Sequence, residues 1–167
     1  KYWRAKPRMM GAGGQPLLFL LALGFGFGPI YQKASGGSYI GFLAPGVIAM
    51  SILFTAMFTG IEVIWDRQFG FLKETLVAPV SRLDIMLGRT LGGATISVIQ
   101  GIIIFLITLL IGFRVSNPLM IPAAFLFMFL IALLFTAFGT AIASRLEDMQ
   151  AFPLIMNFII MPIFFLS

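Results

Sequence analysis

Long apolar runs with almost no charge are the feature that most restricts what this chain can fold into. Runs of about 20 residues recur along the 167-residue sequence, and short polar connections separate them. A helix of about 20 apolar residues spans the roughly 30 Å hydrocarbon core of a bilayer. The runs are continuously apolar rather than alternating, as the strands of a membrane β-barrel would be. The sequence therefore predicts an all-α, polytopic helical membrane protein, with a single transmembrane domain over 1–167.

Composition agrees with a membrane protein and excludes several kinds of chemistry. Hydrophobic residues make up 60% of the chain and charged residues 10%, against about 45–50% and 25% in soluble domains. Cysteine and histidine are both absent, which removes disulfides, thiolate nucleophiles, His-based acid–base catalysis and zinc or haem ligation by these residues. No metal site is expected. A membrane-embedded enzyme would have few catalytic groups available.

Five spans are expected, at 15–30, 39–64, 90–113, 119–143 and from 151 onward. The connections between them are short: a loop over 31–38, the segment 65–89, a turn over 114–118 and a polar stretch over 144–150.

Prolines are expected to shape two of the spans. Pro45 and Gly46 should bend the second span or mark its beginning. Pro153 and Pro162 should kink the fifth span or break it into shorter pieces, because proline lacks the N–H of the helical hydrogen bond.

The basic residues indicate the orientation. Of the 11 Lys and Arg residues, nine lie in the N-terminal segment, in 65–89 and in 144–150, whereas Lys33 and Arg114 lie in the two opposite loops. Basic residues accumulate on the cytoplasmic side of spans. The N-terminus, with its basic lead-in over 1–14, and the segment 65–89 are therefore expected in the cytoplasm, and the chain in the cell (cytoplasmic) membrane. The net charge of +5 is thus attributed to topology, and no nucleic-acid partner is expected.

The cytoplasmic segment 65–82 has the pattern of a short amphipathic helix. Trp65, Phe69, Leu72 and Leu76 follow at spacings of four, three and four, which places them on one helix face. The helix should end at Ala78, because the following proline disfavours helical geometry there. Such a helix either anchors the bundle at the membrane interface or docks onto a partner.

A new helix start follows this segment. Ser81 is a preferred N-cap residue, and Asp84 stands three residues later in a capping-box arrangement. The pattern predicts an amphipathic helix, a break at Pro79 and a capped restart that leads into the third span.

The stretch "IEVIWDRQFGFLKETLVAPVSRLDIMLGRTLGG" (61–93) resembles ABC exporter permeases of the second membrane-domain type. In that family an acidic residue closes the second span, and a basic-X-X-Gly unit and a Pro-Val-Ser-Arg-like run come after it. Here these are Glu62, the run 67–70 and "LVAPVSR" (76–82). The basic lead-in and the Gln-Pro-Leu run that begins the first span are also similar, so the resemblance covers nearly the whole chain. Ala78 departs from the Thr or Ser that is frequent before this proline.

The resemblance implies a fold of six spans, of which five are expected here, without the end of the fifth and the whole of the sixth. It also implies that the cytoplasmic segment is a coupling helix, which seats in a cleft of a separate ATP-hydrolysing subunit and transmits closure of that subunit to the spans. The residues expected to couple the chain to the ATPase are Glu62, Trp65, Arg67, Phe69, Gly70, Glu74, Leu76, Pro79 and Arg82.

Expected partners and cofactors come from the same resemblance. An ABC-type ATPase subunit and a second permease subunit, in a homodimer or a heterodimer, are expected in the lipid membrane. The chain has no Walker A motif, so it should bind no cofactor itself, and ATP and Mg should be bound by the partner subunit. Relatives in this family export drugs, lipids, glycolipids or polysaccharides, and nothing in the sequence selects among these.

Two other classes of function stay open. An ion-coupled secondary transporter or channel usually carries ionisable groups within its spans, but all six acidic residues here lie at span ends or in cytoplasmic segments. A non-transporting membrane scaffold is the other alternative. The amides Gln100 and Asn157 lie within spans, where they either pack helices together or line a substrate path.

Overall fold

The computed structural model describes residues 6–35, 39–70, 81–114, 117–146 and 148–166, and these ranges contain helices and no strands. A 3₁₀ turn, Pro118–Met120, precedes the fifth helix. The α-helices of the described ranges are α1 (Lys6–Ser35), α2 (Tyr39–Phe58), α3 (Ile61–Gln68), α4 (Arg82–Ile111), α5 (Ile121–Arg145) and α6 (Ala151–Leu166).

Three helical segments of the described ranges are long and apolar enough to cross a membrane. They are Tyr39–Gln68, Arg82–Ile111 and Pro118–Arg145, and a shorter apolar helix covers Ala151–Pro162. The prediction of an all-α, polytopic membrane protein is thus confirmed. The predicted first and fifth spans correspond to α1 and α6, and their crossing of the membrane stays a prediction.

The helix boundaries differ from the expected ones in three places. α1 continues to Ser35, through most of the expected loop, and α4 begins at Arg82, eight residues before the expected start of the third span. The expected second span is divided at Thr59 and Gly60, where the Gly60 N–H bonds the Met57 carbonyl in a tighter turn. The Thr59 hydroxyl also donates to the Ala56 carbonyl at 2.6 Å, which competes with the regular helical pattern.

The expected breaks at the prolines are not observed in the described helices, and bending of the helices at these positions stays a prediction. α2 already begins at Tyr39 and runs through Pro45, and α6 runs through Pro162. Pro153 lies in the first turn of α6, where a backbone N–H would have no intrahelical partner in any case. A proline at that position therefore removes no helical hydrogen bond.

The chain divides into two compact units. The first unit comprises the described parts of Lys1–Ile52 and Val98–Met128, and the second those of Leu53–Ser97 and Phe129–Ser167. Because of these boundaries α2, α4 and α5 each contribute residues to both units.

A glycine and several aromatic rings organise the first unit. A Cβ placed on Gly101 of α4 would lie 2.6 Å from the side chain of Ile52, so a larger residue there would require the isoleucine to shift. Tyr31 packs on Tyr39 with ring centroids 5.1 Å apart and on Phe42 at 5.9 Å. These pairs join the end of α1 to the start of α2.

The second unit has its own apolar core. Ile64 of α3, Met57 of α2 and Phe152 and Met156 of α6 are fully buried in one cluster. Phe58 meets Phe152 edge-on at 6.4 Å. The core therefore holds α3 and α6 against the end of α2. The helix that carries the charged residues of α3 is thus fixed by its buried face.

Candidate coupling site

The predicted amphipathic segment begins in α3 and is interrupted at Gly70. α3 ends at Gln68, and Gly70 adopts φ +79°, a conformation that favours glycine after a helix end. The expectation of one helix from Trp65 through Leu76 is therefore corrected: the first helical piece stops before Gly70. Trp65 and Phe69 still form the start of the expected stripe, with ring centroids 5.4 Å apart.

An ion pair connects α3 to α4. Arg89 donates from Nη2 to Oδ2 of Asp66 at 2.5 Å, and the two side chains are 21% and 35% exposed. A charge-assisted bond that is partly shielded from water is stronger than a fully exposed pair. The helices on the two sides of the segment 71–80 are thus held together directly.

A second contact connects α3 to the end of α5. Arg67 lies in the last turn of α3 and donates from Nη1 to the Leu146 carbonyl at 3.5 Å, which is the long limit of a hydrogen bond. Leu146 comes directly after the last residue of α5. A cation beside the unpaired carbonyls of a helix C-terminus is favourable.

Two glycines permit a close backbone approach at the α2–α3 junction. A Cβ on Gly60 would lie 2.5 Å from the carbonyl oxygen of Gly139, and a Cβ on Gly139 would lie 2.7 Å from the carbonyl oxygen of Met57. Because the obstructing atoms belong to the backbone, they cannot rotate away. The junction is therefore fixed against α5 by contacts that no side chain larger than hydrogen allows.

The capped restart at Ser81 is confirmed. The Asp84 N–H donates to Ser81 Oγ at 3.1 Å, and Ser81 Oγ donates to Asp84 Oδ2 at 2.6 Å. The carboxylate thus bonds the hydroxyl of Ser81, whereas in a full capping box it would bond the backbone N–H. α4 begins at the next residue, Arg82.

A cleft of about 180 Å³ lies within the second unit, beside the ion pair. Its polar lining comes from Thr59, Glu62, Arg89 and Thr140, and its remaining lining from Val63, Gly92, Gly93 and Ile96. Within the described ranges, no group of three or more acidic residues is placed to hold a metal ion.

The structure places six of the expected coupling residues. Glu62, Trp65, Arg67, Phe69 and Arg82 are exposed and Gly70 is half-buried. Glu74, Leu76 and Pro79 lie outside the described residues. Their expected roles stay predictions.

The two span amides lie in different surroundings. Gln100 is buried, as expected for an amide between packed helices, and Asn157 is exposed on α6.

The local sequence patterns did not identify Asp66 or Arg89 as site residues. They are 23 positions apart, and no local spacing rule pairs them. The one available signal was a basic residue directly beside an apolar run, just before the expected start of the third span at Thr90.

The fold is that of a polytopic, all-α membrane protein, with an ion pair where α3 and α4 meet. The chain belongs to the ABC-2 type transporter family, whose family model matches residues 1–167.

Individual relatives agree with this family. The chain is 32% identical over 164 residues to the putative transport permease ycf38 of Pyropia yezoensis, covering 93% of this chain and 55% of the relative. The corresponding protein of Cyanophora paradoxa is 30% identical over 79% of this chain and 47% of the relative. Nodulation protein J of Azorhizobium caulinodans is 28% identical over 99% of this chain and 66% of the relative. The chain thus spans about half the length of the first two of these relatives, and no solved structure matches it.

Proposed function

We propose that this chain is the permease subunit of an ATP-driven exporter, and that the segment 65–82 couples it to a separate ATPase subunit. The observation that carries the proposal is the Asp66–Arg89 ion pair, which joins α3, where the segment begins, to α4, into which the segment leads. When a docking element moves, the spans connected to it must move as well. A direct bond between α3 and α4 supplies such a connection.

Movement of the segment would be transmitted through α4 and α5. Asp66 would pull on Arg89, which lies two turns inside α4, and Arg67 contacts the end of α5. The Gly60–Gly139 approach fixes the base of α3, so that α3 turns about this point rather than sliding. Exposed Trp65 and Phe69 would enter a cleft of the ATPase, with Glu74 fixing the register.

The partner and the setting belong to the same proposal. The family and the relatives named as transport permeases support a transporter subunit, and ATP binding would fall to the partner because this chain has no Walker A motif. Two permease subunits would pair in the cytoplasmic membrane, with the N-terminus and 65–82 in the cytoplasm. The exported substrate would be a drug, lipid, glycolipid or polysaccharide.

Ion coupling is the alternative, and the polar residues of the described helices favour it less. The buried polar side chains of these helices are neutral: Ser51, Ser97, Gln100, Thr108, Thr136 and Thr140. Ion and proton pathways usually place ionisable residues at such positions. The described acids Glu62, Asp66, Asp84 and Asp148 are exposed or half-buried.

Co-purification of the full-length protein from its own membranes tests the coupling role. Wild type is compared with Arg67→Glu/Glu74→Lys and with a control, Arg114→Glu, which reverses an exposed charge outside the segment. We expect wild type and control to capture one P-loop ATPase, and the double variant to lose it while its membrane insertion is unchanged. Equal capture by all three proteins, or no ATPase with any of them, contradicts the proposal.

A further inference from the structure

We propose that the cleft beside the ion pair binds the primary ammonium group of a phosphatidylethanolamine headgroup. The polar side chains lining it are Glu62, Arg89, Thr59 and Thr140, and all belong to the second unit. This inference goes beyond the proposed function and does not require an ATPase partner.

The two threonines present oxygen acceptors to the cleft. Thr59 Oγ1 donates its proton to the Ala56 carbonyl at 2.6 Å, and Thr140 Oγ1 donates its proton to the Ala137 carbonyl at 2.9 Å. A hydroxyl has one proton to donate and two lone pairs that accept. With the protons used within their own helices, both hydroxyls can only accept from a bound ligand.

The charges of the site also favour a cation. Of the two charged side chains that line the cleft, Arg89 is paired with Asp66, so its positive charge is offset and the carboxylate of Glu62 attracts a cation. A carboxylate offers about four lone-pair sites, so Glu62 can accept from a ligand in addition to its other contacts. An ammonium group has three N–H donors, which matches the oxygens of Glu62, Thr59 and Thr140.

The same residues disfavour other ligands. A bare metal ion brings no anionic group to balance the guanidinium of Arg89 in the same cleft, whereas phosphatidylethanolamine carries a phosphate beside its ammonium group. That phosphate would accept hydrogen bonds from Arg89. The guanidinium has five N–H donors, and one of these donors bonds Asp66. The cleft volume of about 180 Å³ is several times the roughly 30 Å³ that one water occupies in the liquid. That is room enough for an aminoethyl group.

The depth of the cleft suits a lipid headgroup. α4 has 30 residues and is therefore about 45 Å long, the thickness of a bilayer with its headgroups. Arg89 lies about 10 Å along the axis from the start of α4 at Arg82. This is close to the boundary between headgroups and hydrocarbon, within reach of a lipid headgroup.

Native mass spectrometry of the purified full-length protein tests the site with lipids of identical acyl chains. Phosphatidylcholine is the matched probe, because its methylated ammonium keeps the charge and has no N–H donors. We expect phosphatidylethanolamine to be retained at least about tenfold over phosphatidylcholine, since loss of one charged hydrogen bond already produces that factor. Phosphatidylglycerol, an anion, should be retained least. Equal retention of the ethanolamine and choline lipids overturns the proposal.

Four variants locate the binding. Glu62→Gln removes the negative charge and one acceptor oxygen, Thr140→Val removes an acceptor, and Gly92→Leu adds bulk at a lining residue where a Cβ meets no atom within 4 Å. Gly88→Leu is the control, because Gly88 has the same open surroundings one turn earlier and does not line the cleft. We expect the preference to vanish in the first three variants and persist in the control. The assignment is overturned if the preference for phosphatidylethanolamine is lost in Gly88→Leu as well, or if it is retained in Gly92→Leu.

A soluble probe distinguishes the two possible sources of the bound ammonium group, a membrane lipid and a soluble amine. Free phosphoethanolamine carries the headgroup without acyl chains. Displacement of the lipid by phosphoethanolamine at equal concentration would support the ammonium site and assign it to a soluble amine. Failure to displace would support the site with a membrane lipid as its occupant, and absence of binding by either probe overturns it. These lipid-binding measurements do not depend on capture of an ATPase. Failure of this proposal can therefore be distinguished from failure of the coupling proposal.

Discussion

Arg89 of α4 and Asp66 of α3 form an ion pair of 2.5 Å that links the start of the proposed coupling segment to the helix that follows it. α3 ends at Gln68, the chain turns at Gly70, and α4 restarts through the cap at Ser81. The ion pair therefore links α3 directly to α4. A force applied to the part of the chain that connects the two helices acts on both of them together.

Removing either partner of the ion pair should destabilise the second unit. We expect Asp66→Ala and Arg89→Ala each to lower the free energy of unfolding by about 1–2 kcal/mol, between the values for exposed and buried charged bonds. The double variant should lose less than the sum of the two, because the second change removes a partner that is already unpaired. Unfolding in mixed micelles, followed by tryptophan fluorescence, measures this. Arg114→Ala is the exposed control, and strictly additive losses would show that the pair does not couple the helices.

The close approach of Gly60 and Gly139 should tolerate no side chain. A Cβ on either residue would meet backbone atoms at 2.5 Å and 2.7 Å respectively, and overpacking of this kind costs about 1–3 kcal/mol or more. We therefore expect Gly60→Ala and Gly139→Ala to lower the midpoint of thermal unfolding and the yield of folded protein.

Gly26→Ala is the matched control for these two substitutions. A Cβ on Gly26 meets no atom within 4 Å, and alanine is favoured over glycine in a helix by about 0.5–1 kcal/mol. The control should therefore be neutral or slightly stabilising. A similar midpoint for all three variants would mean that the backbones separate at little cost.

The cap at Ser81 should determine how firmly α4 begins. Ser81→Ala removes the acceptor of the Asp84 N–H, at a cost of about 1 kcal/mol. We expect faster hydrogen exchange of the first-turn amides of α4, and recovery in Ser81→Asn. Ser144→Ala is the control, because its hydroxyl donates to the Ala141 carbonyl of its own helix and caps no helix start. Unchanged exchange in Ser81→Ala would show that the start of α4 is held by packing alone.

Local patterns predicted much of this architecture. The apolar runs located the long helices, and residues three or four apart located the Ser81–Asp84 cap and the Trp65–Phe69 pair. Such spacings predict contacts because neighbouring turns of one helix place these side chains together.

Contacts between distant parts of the chain were not predictable in the same way. Asp66 and Arg89 are 23 residues apart, and Gly60 and Gly139 are still farther apart in the sequence, so only packing of the helices brings them together. The division at Gly60 was missed for the same reason, since a single glycine is tolerated within a helix. Its effect becomes visible once α5 lies against it.

The orientation of the chain can be tested with single cysteines, because none of the 167 residues is a cysteine. Gln68 and Arg114 are both exposed, and the distribution of basic residues places them on opposite sides of the membrane. We expect a membrane-impermeant maleimide to label Arg114→Cys in intact cells, and Gln68→Cys only after the membrane is permeabilised. Labelling after denaturation controls for the amount of protein. The reverse pattern would place 65–82 outside the cell, where no cytoplasmic ATPase can reach it, and both the orientation and the coupling proposal would then fail.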